Sequence, residues 1–159
     1  MSRPLLCLAM IVKDENHCIR QTLDSVKDFI DCCAILDTGS TDGTQLVVHE
    51  ALRDVSGEQW SAPFVDFATS RNQVLDFVSA GFDNPPVFTL MLSADETLHG
   101  GQALRTFLEA HRGADDGAYS TALSAEHARW FYPRVLRVDA GWRYVGEVHE
   151  VPLGPNQET

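Results

Sequence analysis

Three polar clusters contain residue types that could bind a nucleotide and a metal ion. They lie at residues 37–44, 93–96 and 147–150. Carboxylates bind divalent cations, and an acid beside a histidine can move protons or complete a metal site. A fourth segment, residues 66–72, carries Arg71, whose guanidinium suits bidentate binding of phosphate or carboxylate.

The cluster at residues 37–44 reads Asp-Thr-Gly-Ser-Thr-Asp-Gly-Thr and predicts a strand end, a glycine loop and a helix start. It lacks the Gly-Lys-Ser/Thr ending of a phosphate loop and the G-x-G-x-x-G of a dinucleotide fingerprint. Asp37, at the predicted strand end, could accept hydrogen bonds from a nucleobase or a ribose. The alternative is local, with Asp42 and Thr44 as turn and capping residues.

The cluster at residues 93–96 follows the most apolar run of the chain, residues 87–92. Carboxylate oxygens there suit Mg²⁺ or Mn²⁺, ions that proteins often share with substrate phosphates. The alternative is a helix N-terminus that favours acidic side chains through its dipole. For Arg71, the alternative to phosphate binding is a surface ion pair near a helix start.

Residues 147–150, Glu-Val-His-Glu, are predicted to be extended, so that Glu147 and His149 share one face. A carboxylate there could be a general base, and the imidazole could bind a metal ion. The alternative is an exposed acidic edge strand.

Alternating strand and helix signals predict the scaffold that positions these clusters. The predicted strands are residues 5–12, 32–36, 59–65 and 87–92, and the predicted helices are residues 16–26, 44–55, 67–80 and 102–111. Asn16 is the predicted cap of the first helix. Two further strands are predicted at residues 119–123 and 130–138. This α/β pattern builds a parallel sheet with helices on both faces, and ligands bind at the carboxyl ends of its strands.

The composition narrows the classes of function. The chain has 159 residues, 23 acidic and 12 basic side chains and a net charge of −11, without a Lys/Arg cluster. This balance argues against a duplex nucleic acid as partner. No apolar run reaches the roughly 18 residues of a membrane span. The four cysteines form no C-x-x-C pair, which predicts free thiols in a reducing, cytoplasmic location.

Taken in order, several segments resemble the motifs of family 2 glycosyltransferases with the GT-A fold. Residues 7–15 resemble the opening strand of that family, which ends Val-Lys-Asn-Glu. Residues 35–44 are similar to its Val-Asp-Thr-Gly-Ser-Thr-Asp-Gly-Thr motif, and residues 66–72 to Asp-Phe-Ser-x-Ala-Arg-Asn. Residues 92–96 lie where the family has Leu-Asp-Ala-Asp-Glu.

The resemblance continues near the end of the chain and covers about residues 5–151. Residues 134–137 and 146–150 resemble the later Pro-Arg-Leu-Phe-Arg and Gly-x-Val-His-Glu motifs. The fold that this implies is a GT-A type, Rossmann-like α/β/α sandwich with a mostly parallel central sheet.

The resemblance also implies an activity, the transfer of a sugar from a nucleotide diphosphate to an acceptor hydroxyl with inversion. The residues implied to contact the nucleotide-sugar, with a UDP-sugar as the expected donor, are Val12, Lys13, Glu15, Asp37, Asp66, Arg71, Asn72, Ser93 and Ala94. Asp95 would hold Mn²⁺ or Mg²⁺ on the diphosphate, with His149 as a second ligand. Glu150 would deprotonate the acceptor, with Glu147 as the next choice and Glu96 as a third.

Two departures from the family pattern leave other functions open. Ser93 replaces the first acid of the metal motif, which implies weaker metal binding. The chain is also short, so residues 1–159 are expected to form one catalytic domain, with a nucleotide-sugar-binding half (1–99) and an abbreviated acceptor-side half (100–159).

The acceptor is expected to be a glycan, a lipid, a protein or a modified nucleic acid. Its pocket would be open, absent from this stretch of chain or completed by a partner chain, such as a second copy in a homo-oligomer. Two alternatives to a glycosyltransferase remain. One is a nucleotide-sugar-binding module without turnover, and the other is a sugar nucleotidyltransferase.

Overall fold

The computed structural model describes residues 2–157, so residues 1, 158 and 159 of the expected domain lie outside the described part. The strands are β1 Leu6–Val12, β2 Cys32–Asp37, β3 Ser56–Ser61, β4 Phe88–Met91, β5 Ala118–Ala125, β6 Ala128–Arg137, β7 Arg143–Val145 and β8 Val151–Leu153. The helices are α1 Ile19–Val26, α2 Thr44–Ala51, α3 Phe67–Ala80 and α4 Gly101–Ala110. Two short 3₁₀ turns, Lys27–Phe29 and Val138–Ala140, follow α1 and β6.

The central sheet has six strands in the order β3-β2-β1-β4-β6-β5. Strands β1 to β4 run parallel, whereas β6 pairs antiparallel with both β4 and β5. The strands β7 and β8 form a separate two-stranded sheet. The predicted α/β class with a mostly parallel central sheet is confirmed.

The central strands are buried on both faces, which explains why their sequences are continuously apolar. One face of the sheet packs against α1, α2 and α4 through Ile19, Leu23, Val48 and Leu108. The other face packs against α3 and β7. The result is a three-layer α/β/α arrangement. Among residues 2–157, no helix is long and apolar enough to cross a membrane.

Two elements differ from the sequence expectation. The third strand covers Ser56–Ser61 instead of residues 59–65, because the polar edge strand is held by backbone pairing with β2 and not by apolar burial. Helix α1 begins at Ile19, three residues after the expected cap. The prediction that Asn16 caps α1 is wrong, because its side chain donates to the backbone carbonyl of Asp42 at 2.8 Å.

Strands β2 and β3 approach each other closely at Gly57, and a substitution there tests this contact. This residue has φ +143°, and a Cβ atom there would collide with the carbonyl group of Cys33. We expect Gly57→Ala to lower the free energy of unfolding by about 2–4 kcal/mol through strain and collision. Urea unfolding measures this value, and Gly113→Ala is the control, since a Cβ there would meet nothing within 4 Å. Equal effects of the two substitutions would contradict the close approach.

Candidate functional site

The carboxyl ends of β1, β2 and β4 meet at one edge of the sheet and carry two of the polar clusters. Strand β1 lies between β2 and β4, and Val12 lies opposite Asp37 in the β1–β2 register. Val12 is buried, while Lys13 is exposed. Residues 93–96 begin two residues after β4 ends. The topology therefore brings residues 12–15, residue 37 and residues 93–96 to one edge.

Asp37 is fully buried at this edge and only half satisfied. Its Oδ1 atom accepts hydrogen bonds from the backbone N–H groups of Gly39 at 2.9 Å and Ser40 at 2.8 Å. Its Oδ2 atom is buried without a hydrogen-bond partner among the described residues. Burial alone would raise the pKa of the Asp37 carboxyl, but the hydrogen bonds from Ser40 and Gly39 outweigh burial and lower that pKa. The side chains of Ser40 and Gln45 contribute further hydrogen bonds that lower this pKa, so Asp37 stays ionised, with its Oδ2 atom fully buried.

The loop between β1 and α1 is held against the loop between β2 and α2. Asp42 Oδ2 accepts from the Asn16 backbone N–H at 3.0 Å, and Asp42 Oδ1 accepts from the Thr44 N–H at 3.0 Å. The Glu15 N–H donates to the hydroxyl of Thr44 at 2.8 Å. Asp42 and Thr44 therefore organise the α2 start, as the local interpretation expects, and also position the backbone of the half-buried Glu15.

Of the residues that follow β4, Ser93 and Ala94 form hydrogen bonds within the fold, whereas Asp95 lies at the surface. The Ala94 carbonyl is buried and accepts from the Thr22 hydroxyl at 2.5 Å, and the Ser93 N–H donates to Glu96 at 2.8 Å. Asp95 is exposed. Burial, the hydrogen bond to Glu15 and the charges of Glu15 and Asp95 raise the pKa of the Cys18 thiol to about 11.

Helix α3 carries two of the predicted residues, Arg71 and Asn72, and a third, Asp66, precedes it. Asp66 caps the helix, accepting from the Thr69 N–H at 2.6 Å. Asn72 exchanges two hydrogen bonds with the backbone of Tyr144, at 2.9 and 2.8 Å, and so fastens β7 to α3. Both side chains thus have a scaffold contact, whereas Arg71 reaches into a cleft.

Arg71 forms an ion pair, as its alternative interpretation expects, but the pair is largely buried and its partner is the distant Glu150. Its Nε donates to Glu150 Oε1 at 2.9 Å, and the two side chains are only 11% and 14% exposed. The guanidinium also lies 5.4 Å from the centre of the Tyr144 ring. The Nη1 atom of Arg71 is buried without a partner among the described residues. The arginine therefore retains a donor for a ligand while it positions Glu150.

A cleft of about 220 Å³ surrounds this ion pair. Its lining consists of Arg71, Glu96, Leu123, Trp130, Tyr132, Arg134, Tyr144 and Glu150. A second ion pair joins Arg134 to Glu96, and the Tyr132 hydroxyl donates to the Glu150 backbone carbonyl at 2.9 Å. Two acidic and two basic side chains leave the cleft formally neutral, with aromatic rings around it.

Further polar atoms of the cleft lack partners within residues 2–157. They are Arg134 Nε and the Tyr144 hydroxyl. Burial raises the pKa of Tyr144 to about 12, so its hydroxyl keeps its proton at neutral pH. Together with Arg71 Nη1, these groups are hydrogen-bond donors. They match a ligand that presents acceptor oxygens.

The segment at residues 147–150 is a loop between β7 and β8, not the extended strand that alternation predicts. Gly146 has φ +106° and bends the chain. Glu147 and His149 are exposed, while Glu150 turns toward Arg71. The prediction that Glu147 and His149 share one face is therefore wrong, because the segment is not extended.

Sequence reasoning missed the aromatic wall of the cleft. Trp130 and Tyr132 lie on β6, and Tyr144 lies on β7. Arg134 lies in the motif at residues 134–137, but the sequence analysis predicts no function for it. The aromatic run at residues 130–132 was an available signal, since exposed aromatic residues often mark binding surfaces.

Comparison of the sequence with known proteins finds a curated relative for part of the chain. No protein-family model matches the chain. A TPR repeat-containing protein of Synechococcus elongatus is 36% identical over 91 residues, which are 57% of this chain and 20% of that relative. The chain thus spans about a fifth of the length of this curated relative.

Two groups of solved structures resemble the model. S. aureus TarS in complex with UDP-GlcNAc has a TM-score of 0.59 at 15% identity, covering 84% of this chain and 45% of that chain. Glucosyl-3-phosphoglycerate synthase from Mycobacterium tuberculosis with UDP has a TM-score of 0.51 at 13% identity, covering 72% of this chain and 42% of that chain. These neighbours are GT-A-type glycosyltransferases, and the likeness shows the fold. This chain spans less than half of either.

Proposed function

We propose that this chain is an inverting, metal-assisted glycosyltransferase domain of family 2. The unpartnered, buried Oδ2 atom of Asp37 at the carboxyl edge of the sheet carries the proposal. A buried carboxylate oxygen without a hydrogen bond is costly, and a ligand N–H or O–H would remove that cost. In a fold of glycosyltransferases, the nucleoside of a sugar nucleotide is the ligand that we infer.

The nucleotide-sugar-binding half of the proposal comprises residues 1–99. Asp37 would accept from the base or the ribose, and Val12, Lys13 and Glu15 would line the same pocket. Arg71 Nη1 would donate to the diphosphate or the sugar. Asp66 and Asn72 would act mainly by holding α3 and β7 in place, which their hydrogen bonds support. UDP is the nucleotide that we propose first.

The metal in this proposal is Mn²⁺ or Mg²⁺. Asp95 and His149 are exposed and offer a carboxylate oxygen and an imidazole nitrogen, donors that suit Mn²⁺. Ser93 and Ala94 would lie beside the ion, and Ser93 supplies no second carboxylate at the first position of the motif. When bound, the ion would offset the negative charge of the leaving nucleotide diphosphate.

The acceptor-side half comprises residues 100–159 and the cleft. Glu150 is the base that we propose for the acceptor hydroxyl, because Arg71 and the backbone contact of Tyr132 hold it at the cleft. Glu147 is the second choice. The formally neutral, aromatic cleft with unpartnered donors suits a hydroxyl-rich group.

Calorimetric titration with UDP, GDP and dTDP tests the proposal, first with Mn²⁺ and then with EDTA. We expect one nucleotide, UDP first, to bind in the presence of Mn²⁺ and to bind at least about tenfold more weakly in EDTA, since the ion bridges protein and diphosphate. Binding without metal dependence would contradict the assigned role of Asp95. Failure of all three nucleotides to bind would contradict the proposed function.

A nucleotide-sugar-binding module without turnover is the second candidate. It is favoured by the ion pairs that engage both cleft carboxylates, Glu96 and Glu150. Both candidates bind the nucleotide, so the release of UDP from a UDP-sugar separates them. Steady release above the rate without protein would exclude the module, and tight binding without release would favour it.

A further inference from the structure

One cluster of metal-ligating side chains in the described residues includes two, His17 and Cys18, that the proposed reaction does not use. It consists of Glu15, His17 and Cys18, which we call the loop triad, in the loop between β1 and α1. A carboxylate oxygen, an imidazole nitrogen and a sulfur from these residues all lie within 4.8 Å of one another. We propose that the loop triad is a binding site for a zinc-like divalent cation, separate from the proposed Asp95 and His149 site.

The distance between the sulfur and the carboxylate of the loop triad matches a tetrahedral zinc site. Zinc bonds of about 2.0–2.3 Å to nitrogen, oxygen and sulfur place neighbouring ligand atoms roughly 3.3–3.8 Å apart. The Cys18 sulfur lies 3.3 Å from Glu15 Oε2, within that range. The imidazole of His17 is on an exposed residue and can rotate to close the remaining gap.

The backbone that carries the loop triad is already held in place. Asp42 accepts from Asn16, and Thr44 accepts from the N–H of Glu15 at 2.8 Å. The N–H groups of Cys18 and Ile19 both donate to the Glu15 carbonyl, at 3.0 and 2.9 Å. Little backbone order therefore has to be created on binding, which favours affinity.

The chemistry of the three donors selects the ion. A thiolate and an imidazole favour Zn²⁺ over Mg²⁺ or Ca²⁺, which prefer oxygen ligands. In the metal-free chain the Cys18 thiol donates to the carboxylate of Glu15. On binding, Zn²⁺ would replace the thiol proton, which passes to solvent, and the sulfur and Glu15 would each bind the ion. A water molecule would take the fourth position.

Electrostatics also favour a cation at this loop. The whole chain carries a net charge of −11, and the loop triad contains the carboxylate of Glu15. The Glu15 carboxylate and an ionised Cys18 would repel each other across 3.3 Å, and a divalent cation between them converts this repulsion into attraction.

Equilibrium dialysis of the full chain against Zn²⁺ alone, without nucleotide, tests the inference. The variants are Cys18→Ser and His17→Gln, with His127→Gln as the control, because His127 is exposed at the turn between β5 and β6. We expect one Zn²⁺ per chain, with affinity reduced by about 10–100-fold or more in the first two variants and unchanged in the control. Circular dichroism checks that all variants are folded.

A second readout reports the sulfur ligand directly. Co²⁺ bound in place of Zn²⁺ is expected to show a sulfur-to-cobalt charge-transfer band that Cys18→Ser abolishes. The inference would be overturned if Asp95→Asn abolished zinc binding while Cys18→Ser left it unchanged, since the ion would then occupy the proposed diphosphate site. Equal zinc binding by all variants, or none by the unchanged chain, would overturn it as well.

Discussion

Replacement of Glu150 with glutamine is expected to lower the rate constant of sugar transfer by about 10²–10⁴-fold, the usual contribution of a general base. Glutamine keeps the size of the side chain and can still accept from Arg71, but it cannot take a proton from the acceptor. The affinity for UDP should change much less, since Glu150 is proposed to act on the acceptor hydroxyl. Single-turnover transfer, with saturating UDP-sugar and an acceptor that the unchanged chain uses, measures the rate.

Glu147→Gln is the matched control, because Glu147 lies in the same loop but is exposed. We expect this variant to retain most of the transfer rate. A larger loss for Glu147 than for Glu150 would assign the base to Glu147. Loss of the Glu150 charge also leaves Arg71 without its ionic partner. Urea unfolding of the same samples therefore separates a chemical effect from a loss of folded protein.

The second large effect is expected at Asp37. In Asp37→Asn, the remaining amide oxygen can still accept from Gly39 and Ser40, as Oδ1 does in the native chain. The amide nitrogen replaces the unpartnered Oδ2, so a donor would face the N–H or O–H of the nucleoside. Loss of a charged hydrogen bond is worth about 1.5–3 kcal/mol, which corresponds to a roughly 10–150-fold weaker affinity for UDP.

Calorimetric titration of UDP measures this change, with Asp83→Asn as the control. Asp83 is an exposed residue in the loop before β4, on the opposite edge of the sheet from Asp37. The control should bind UDP with unchanged affinity. Unchanged affinity in Asp37→Asn as well would show that the buried oxygen does not face the nucleotide. The two predictions are independent, because the Asp37 variant affects binding and the Glu150 variant affects the chemical step.

The identities and order of the main elements follow from the sequence because their signals are local. Buried parallel strands such as β1 and β4 require continuous apolar runs, and α3 was predicted at Phe67–Ala80, the range that it occupies. The polar clusters after β1, β2 and β4 could be placed at one edge, since parallel strands share their carboxyl ends. Asp37 could therefore be singled out before any contact was known.

Contacts between segments that are distant in the sequence could not be predicted from such local signals. Strand β3 is polar and exists because it pairs with β2, and Asn16 leaves its expected capping role because Asp42 lies beside it in space. Alternation predicted an extended segment at residues 147–150, but Gly146 bends the chain there. Backbone pairing and loop packing, which local periodicity does not encode, decided these three features.

The sequence by itself thus determined the α/β pattern and the residue types at the strand ends, because burial and periodicity act over a few residues. Only the tertiary structure decided that Arg71 pairs with Glu150, 79 positions away, and that Glu96 pairs with Arg134. It also decided that one oxygen of Asp37 has no hydrogen-bond partner among residues 2–157. These features depend on which side chains the packed elements bring within hydrogen-bond reach, and that is a property of the whole fold.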